Sequence, residues 1–168
     1  MSDTLDEINC PACHKPMKKI YLENQKFNVD ICLDGCGGIF LDNRETNKID
    51  EKQEDITPIL EAVKNKQFEK VDETAKRICP VCGHLMVKNN SSHLGGVQID
   101  ECYNCGGKFF DKDELVKFRN EFESEEDRIK AFNEYSKSIV ASANAEFSGK
   151  KTYGSMLNDI IKNYKEFN

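Results

Sequence analysis

The pattern of apolar and polar positions divides the chain into short alternating runs and longer helical stripes. Two runs, "KKIYLENQKFNVDIC" and "MVKNNSSHLGGVQIDEC", each indicate two short strands around a polar turn. Each run lies in a neighbourhood of about 35 residues, which is too short to bury a core that stays folded without a cross-link or a metal. The sequence therefore predicts two small β-hairpins, each stabilised by a cross-link or a metal.

Helical spacing follows each hairpin. Thr57 and Pro58 form a helix start, and one apolar stripe follows them: Leu60, Val63, Phe68, Val71 and Ala75. A second stripe repeats about every 3.5 residues: Leu115, Phe118, Phe122, Ile129, Phe132 and Ile139. A third comprises Tyr153, Met156, Leu157, Ile160, Ile161, Tyr164 and Phe167. We expect a connecting helix, and C-terminal helices whose apolar faces contact the protein's own core or another chain.

The two hairpin regions are copies of one unit. The strings "CPACHKPM", "VDIC" and "CGGIFLDNRE" align with "CPVCGHLM", "IDEC" and "CGGKFFDKDE". Cys10, Cys13 and Cys36 align with cysteines 69 residues later, whereas Cys32 aligns with one 70 residues later. Copy one thus has one extra residue in its second cysteine pair, and Gly35 supplies a permissive backbone there. A shared order this long indicates a duplication, and two repeats imply two sites.

Each copy has two cysteine pairs about 18 residues apart, close to the spacing of a four-cysteine zinc site. In such a site, two tight turns present four thiolates about 2.3 Å from one ion. The candidate ligands are Cys10, Cys13, Cys32 and Cys36 in copy one, and Cys79, Cys82, Cys102 and Cys105 in copy two. The sequence therefore predicts two structural Zn²⁺ ions per chain.

Other uses of these cysteines stay open. Iron–sulfur clusters also take four thiolates, and C-x-x-C is also a redox spacing, although no βαβ pattern surrounds either pair. A catalytic zinc is disfavoured because the protein fills all four positions. His14, His84 and His93 are spare candidate ligands that four cysteines per copy make unnecessary.

Two carboxylate pairs follow the second cysteine pairs, Asp42 with Glu45 and Asp111 with Glu114. Their spacing predicts capping boxes, in which Asp accepts from first-turn amides and Glu reaches back to the cap residue. The chain has no Ser-His-Asp set, no Gly-rich phosphate loop and no glycosidase-like carboxylate arrangement. We therefore expect no enzymatic activity.

The motifs "CPACHKPM … VDICLDGCGGIFLDNRE" and "CPVCGHLM … IDECYNCGGKFFDKDEL" resemble the transcription-factor-IIB-type zinc ribbon domain found in many small bacterial proteins. The resemblance covers roughly Asn9 to Glu45 and Ile78 to Leu115. Where that family usually has Trp after Gly-Gly, this chain has Phe40 and Phe109. The resemblance implies zinc and a ribbon fold at the eight cysteines and implies little about function.

Charge and composition restrict the partners. A net charge of −6 disfavours non-specific nucleic-acid binding, although Lys15, Lys18, Lys19 and Lys26 form one basic cluster. The N-terminus lacks a basic segment followed by an apolar run, and no run of 18 apolar residues occurs. We therefore expect a cytoplasmic protein that is not associated with a membrane. Cysteines in a reducing cytosol favour metal over disulfides.

We therefore predict a small zinc-dependent α+β fold. Its segments are a first zinc ribbon at 1–45, a helical linker at 46–77, a second zinc ribbon at 78–114 and C-terminal helices at 115–168, with the two ribbons folding independently. The predicted function is a non-enzymatic adaptor that binds protein partners through its ribbons and helices or self-associates through its C-terminal helices. The alternatives are a nucleic-acid or transcription-complex binding protein, and a thiol or zinc redox sensor.

Overall fold

The computed structural model describes residues 7–43, 45–92 and 96–146, apart from the side chains of residues 125 and 144–146. The strands are β1 (Lys18–Leu22), β2 (Phe27–Ile31), β3 (Ile39–Leu41), β4 (Val87–Asn90), β5 (Gln98–Glu101) and β6 (Lys108–Phe110). The helices are α1 (Thr57–Val63), α2 (Glu114–Arg119) and α3 (Glu125–Glu146), with a 3₁₀ turn at Thr46–Lys48. The chain forms two compact units, Met1–Ser124 and Glu125–Asn168, so all six strands belong to the first unit.

Both predicted hairpins are present. Strands β1 and β2 pair antiparallel with Ile20 opposite Val29, and β4 and β5 pair antiparallel with Asn89 opposite Ile99. Each copy adds a third short strand, β3 or β6, after its Gly-Gly pair. We call residues 7–43 ribbon one and residues 77–111 ribbon two.

The two ribbons form one sheet. Strands β3 and β6 pair antiparallel, with Phe40 opposite Phe109, and the strand order is β1-β2-β3-β6-β5-β4. From either edge of the sheet, the strands run in the order first, second and third strand of one copy, and the two third strands meet in the centre. The strand order is therefore that of two copies related by an approximate twofold axis. Each ribbon's innermost strand is thus hydrogen-bonded to the other ribbon, and independent folding of the two ribbons stays a prediction.

The repeated Gly-Gly-x-Phe sequence builds this junction. A Cβ added at Gly38 would lie 2.3 Å from Cζ of Phe109, and one added at Gly107 would lie 2.5 Å from Cζ of Phe40. Each Phe ring therefore rests on the backbone of a glycine from the other ribbon, where no side chain fits. Both rings are almost completely buried. The two aromatics that follow the Gly-Gly pairs therefore pack across the junction between the ribbons.

Apolar clusters occupy both faces of the sheet, because successive side chains of a strand point to opposite faces. One cluster contains residues of both ribbons, of α1 and of α2, including Val29, Ile31, Leu41, Ile59, Phe110 and Leu115. The other contains the two Phe rings, Met17, Met86 and cysteines from both ribbons. Each cluster therefore contains residues of both copies and couples them.

Helix α2 also holds the segment that follows ribbon one. The buried Arg119 guanidinium donates to the carbonyl oxygens of Ile49 at 2.5 Å, Glu54 at 2.6 Å and Lys52 at 3.3 Å. A buried charge is stable only where its donors are satisfied, and three carbonyls meet that need here. Residues 49–54 are thus fixed to the helix that follows ribbon two.

The connecting helix is shorter than its apolar stripe predicted. Helix α1 ends at Val63, and the described residues from 64 to 77 form no helix or strand. Asn65 has φ of +60°, a left-handed conformation that cannot continue a right-handed helix. The helix starts at Thr57 as predicted, although the cap residue is Ile56, and Asp55 Oδ1 accepts from the Thr57 N–H at 2.8 Å. Phe68 lies over Gly37 of ribbon one, and Val71 packs against the cluster that contains the two Phe rings.

Helix α3 belongs to the second unit and is described by itself. It is a single helix of 22 residues, with Ile129, Phe132, Tyr135 and Ile139 between 40 and 54% exposed. The predicted stripe from Leu115 is divided between α2 and α3. The predicted last helix, from Tyr153 to Phe167, lies outside the described residues.

Candidate metal centres

The first cysteine pair of each ribbon lies in a tight turn that starts the hairpin. In ribbon one, the N–H of His14 donates to Cys10 O at 2.9 Å, and His14 has φ of +61°. In ribbon two, Gly83 makes the equivalent hydrogen bond to Cys79 O, with φ of +72°. The position after the second cysteine of the pair therefore requires a left-handed backbone. His14 occupies that position as a turn residue, a role that its place among the spare candidate ligands did not anticipate.

The second cysteine pair lies in a similar turn closed by the Gly-Gly sequence. The N–H of Gly37 donates to Cys32 O at 3.0 Å, and the N–H of Gly106 donates to Cys102 O at 2.7 Å. Both glycines have positive φ, near +80°. The first glycine of each pair thus turns the chain, and the second receives the Phe ring of the other ribbon.

These turns bring four sulfur atoms together in each ribbon. Within each group the Sγ atoms all lie within 4.8 Å of one another, in the sets Cys10, Cys13, Cys32, Cys36 and Cys79, Cys82, Cys102, Cys105. The Cys10–Cys36 and Cys13–Cys32 sulfur pairs are 3.4 and 3.3 Å apart. Four thiolates about 2.3 Å from one ion lie about 3.8 Å from each other, so both groups fit a tetrahedral zinc.

The histidines stand outside these groups. Among the described residues, the groups that could hold a metal consist of cysteines alone. His84 is exposed, and its Nδ1 lies 3.0 Å from the Cys82 carbonyl oxygen. His93 lies outside the described residues.

The extra residue of ribbon one has a steric explanation. A Cβ added at Gly35 would lie 2.6 Å from Cys13 Sγ and 2.7 Å from Cys32 Sγ. Gly35 does not have positive φ, so its permissive backbone is not the reason for glycine here. The wider loop folds against the sulfur atoms, and only a residue without a side chain allows that approach.

The segment after α1 covers this wider loop. The N–H of Glu69 donates to Gly35 O at 2.9 Å, and the Glu69 carboxylate accepts from Lys15 Nζ at 2.5 Å. The Phe68 ring lies over Gly37, where an added Cβ would be 2.9 Å from the ring. Gly106 of ribbon two meets the side chain of Asn43 instead. We call residues 64–69 the covering segment.

The cover makes the two cysteine groups unequal. Three cysteines of ribbon one are at most 2% exposed, and only Cys13 is partly exposed. In ribbon two, Cys82 and Cys105 are both partly exposed. The second group is therefore more open to solvent, and the difference lies at Cys105, the counterpart of Cys36.

Hydrogen bonds bias single thiols toward ionisation. The hydrogen bond with Cys10 lowers the pKa of Cys32, and the same contact raises the pKa of Cys10. In ribbon two, the backbone N–H of His84 lowers the pKa of Cys82 to about 6. A thiolate is the form that binds a metal, so each group already favours one anionic sulfur.

A buried ionic cluster supports ribbon two. Arg77 Nη2 donates to the Asp111 carboxylate at 3.1 and 3.2 Å, and Lys88 Nζ donates to Asp100 at 2.8 Å. Arg77, Asp100 and Asp111 are each 2% exposed. In ribbon one, the position of Arg77 is taken by the buried Ile8, and Lys19 donates to Asp30 at 3.1 Å. The cluster is therefore larger in ribbon two.

The glutamate half of each predicted capping box is present. Glu45 Oε2 accepts from the Asp42 N–H, and Glu114 Oε2 accepts from the Asp111 N–H, both at 2.7 Å. The glutamate half of the prediction is confirmed. The Asp111 carboxylate binds Arg77 rather than first-turn amides, because α2 starts after Asp113, which has φ of +67°. Burial raises the pKa of Glu114 to about 7.

The geometry defines a class of protein: a small α+β protein with two four-cysteine ribbons fused through one antiparallel sheet. The family model of the transcription-factor-IIB-type zinc ribbon, described as a transcription factor zinc-finger, matches residues 9–52 and 78–120, just over half of the chain. The chain belongs to this family and carries its domain twice. No curated protein and no solved structure matches the chain significantly. In the described part of the chain, no helix is both long and apolar enough to span a bilayer.

Proposed function

We propose that each group of four cysteines holds one structural zinc ion, giving two per chain. The support is the donor set and its fit: four sulfur atoms within 4.8 Å of one another, at the spacing that the family uses. Zinc bound in this way cross-links two turns of a ribbon that buries little apolar surface of its own. All four positions are protein thiolates, which supports a structural rather than a catalytic role.

We further propose that the protein is a non-enzymatic adaptor that binds other proteins. The observation that carries this proposal is the exposure of large apolar side chains on a rigid, zinc-held sheet, namely Ile78, Leu85, Val87 and Tyr103 of ribbon two. Contiguous exposed apolar surface on a soluble domain typically marks an interaction site. Binding would then use a preformed surface, which lowers the entropic cost of association.

The lysines support a protein partner over nucleic acid. Within the basic cluster of ribbon one, Lys15 is paired with Glu69 and Lys19 with Asp30. The two lysines of ribbon two have acidic neighbours, Lys88 with Asp100 and Lys108 with Glu101, and Lys112 just after the ribbon is paired with Asp113. Phosphate binding depends on an excess of positive charge, which these pairs neutralise.

Native mass spectrometry of the full chain purified without added metal tests the metal proposal. Two zinc ions per chain are expected, whereas iron or oxidised thiols without metal would move the redox alternative to the front. For the adaptor role, immobilised zinc-loaded protein should retain proteins from a nuclease-treated extract, and zinc-stripped protein should lose them. Retention of nucleic acid instead, in a salt-dependent manner, would contradict the adaptor role.

A further inference from the structure

The two cysteine groups differ in how closely the protein encloses them. We call the group of ribbon one site one and the group of ribbon two site two. Four thiolates leave no open coordination position on a zinc ion, so an external ligand must reach a sulfur atom and displace it before the ion can leave. The exposure of the cysteine turns therefore controls how readily each site exchanges its ion.

The second cysteine turn is enclosed in ribbon one and more open in ribbon two. Cys36 and Gly37 are buried. The aligned residues Cys105 and Gly106 are partly exposed, although the side chain of Asn43 lies against Gly106. An external ligand thus has access to site two at a position where site one is closed.

A lysine links the two cysteine turns of ribbon one. Lys15 follows the first cysteine pair, and its Nζ donates to Asp34 O of the second turn at 3.0 Å and to the Glu69 carboxylate of the covering segment at 2.5 Å. The aligned residue of ribbon two is His84, whose Nδ1 lies 3.0 Å from the carbonyl oxygen of Cys82. Lys15 therefore joins two turns, whereas His84 contacts the turn to which it belongs.

The covering segment and the wider loop enclose site one in two layers. Gly35 is buried and packs directly on sulfur, since a Cβ added there would lie 2.6 Å from Cys13 Sγ and 2.7 Å from Cys32 Sγ. The Glu69 N–H donates to Gly35 O at 2.9 Å, so the covering segment lies over this loop. The extra residue of ribbon one thus both contacts the sulfur atoms and anchors the segment outside it.

We infer that site two exchanges its zinc with chelating ligands in solution while site one retains its zinc, so that the chain passes between a two-zinc and a one-zinc form. The partly exposed Cys82 and Cys105 are the sulfur atoms that such a ligand reaches first. Each donor atom of the ligand that binds the ion replaces one cysteine sulfur, and the released thiolate takes a proton from water, with no change in oxidation state. This inference rests on the proposed zinc sites and adds that the two sites serve different purposes.

Exchange at site two alone makes one half of the protein responsive to zinc supply. Metal binding is coupled to folding in small zinc domains, so ribbon two loses the cross-link between its cysteine turns when site two empties. Ribbon one keeps its own ion under the same conditions. The fold of ribbon two then depends on the zinc available outside the protein.

The test exposes the zinc-loaded full chain to an excess of EDTA. Native mass spectrometry follows the number of zinc ions per chain, and pulses of N-ethylmaleimide with peptide mapping identify the cysteines released at each time. A one-zinc species should accumulate, with Cys79, Cys82, Cys102 and Cys105 alkylated and the cysteines of site one protected. The first zinc should be lost several times faster than the second.

A double variant tests whether the covering segment retains the ion of site one. Phe68→Ala combined with Glu69→Ala removes two side chains by which this segment contacts ribbon one. Zinc loss from site one should become several times faster, and loss from site two should stay unchanged. The matched control is Lys70→Ala, an exposed position next to the segment, which should change neither rate. Two zinc ions per chain before EDTA is added, with unaltered amide NMR shifts in β2 and β5, verify that each variant is folded.

Two results would overturn the inference. The first is loss of both zinc ions together, or alkylation of site one before site two, in a wild-type chain that starts with two zinc ions. The second is unchanged zinc loss from site one in the double variant, because the covering segment would then not retain the ion. A wild-type chain that holds no zinc before EDTA is added would instead refute the proposed zinc sites themselves.

Discussion

Residues 64–69 lie over the second cysteine turn of ribbon one, whereas the Asn43 side chain lies against that turn in ribbon two and leaves Cys105 partly exposed. The backbone hydrogen bonds of the turns are nearly identical, so the difference does not arise from the metal-binding scaffold. It arises from residues 64–69, which lie over Gly35 and Gly37, and from the apolar side chains of ribbon two that are exposed in the described part of the chain. Two copies of one fold can therefore share their chemistry and differ in their accessibility.

The interiors of the two ribbons differ in their buried charges. Ribbon two buries a cluster of two carboxylates and two cations around Arg77, whereas ribbon one has buried Ile8 at that position. Buried ion pairs contribute little net stability, but removing one member is costly. Ribbon two is thus more exposed at its cysteines and more sensitive in its core, and the following variants separate these properties.

The largest effect is expected from Cys79→Ser. Loss of site two removes a share of the roughly 10–16 kcal/mol that zinc binding couples to folding, so ribbon two should unfold. Because β6 is paired with β3, amide exchange protection at Ile39–Leu41 should also fall. Hydrogen exchange with zinc stoichiometry measures both. The reciprocal change Cys10→Ser serves as control, and unchanged protection of β3 would show that the ribbons fold independently after all.

Arg77→Ile places the residue of ribbon one in the interior of ribbon two. The change leaves Asp100 and Asp111 without their buried cation and should cost about 3–5 kcal/mol in the free energy of unfolding. Denaturant unfolding of the zinc-loaded protein measures the loss. Adding Asp111→Asn should recover part of it, because a neutral amide needs no buried counter-charge; no recovery would mean that packing, not charge, sets the cost.

The junction should respond equally from either side. Gly38→Ala and Gly107→Ala each force a methyl group into a Phe ring of the other ribbon, so each should cost about 1–3 kcal/mol. Gly83→Ala is the control, since nothing lies within 4 Å of its Cβ and only the positive φ contributes, about 1 kcal/mol. Denaturant unfolding measures the loss of unfolding free energy in each variant. Unequal losses for Gly38→Ala and Gly107→Ala would contradict an equivalent role of the two glycines at the junction.

The smallest effect on stability is expected from Glu69→Ala. Its ion pair with Lys15 is solvent-exposed, so the unfolding free energy should change by less than about 1 kcal/mol. The cover over site one should loosen, and its cysteines should be alkylated faster during chelation. In wild type, Cys82 and Cys105 should be alkylated first. In the variant, the difference in alkylation rate between the two cysteine groups should become smaller. Glu61→Ala, on the exposed side of α1, should leave the order and the rates unchanged.

Much of this architecture follows from the repeat. The hairpins, the family and the grouping of cysteines into two sets are specified by spacing that any copy must keep. The pairing of β3 with β6 was missed because three-residue strands carry no readable period, and their contact depends on a glycine and a ring far apart in the chain. The repeated Gly-Gly-x-Phe sequence was the available signal.

The other differences have similar causes. Phe68 and Val71 fit a helical period, yet α1 ends before the left-handed Asn65, so Phe68 lies over Gly37 and Val71 packs against the cluster shared by the two ribbons. Gly35 was attributed to backbone freedom, although the adjacent sulfur atoms exclude any side chain. In each case the deciding contact is between segments that a one-dimensional pattern does not bring together.

The Gly–Phe junction has a consequence for how the two copies can diverge. In a homodimer joined by such a self-complementary contact, every substitution occurs twice, so a surface cannot change on one subunit alone. Within a single chain the association is intramolecular and does not depend on protein concentration. One copy can then acquire a covering segment while the other acquires exposed apolar residues. A symmetric scaffold thereby presents a different surface on each of its two ribbons.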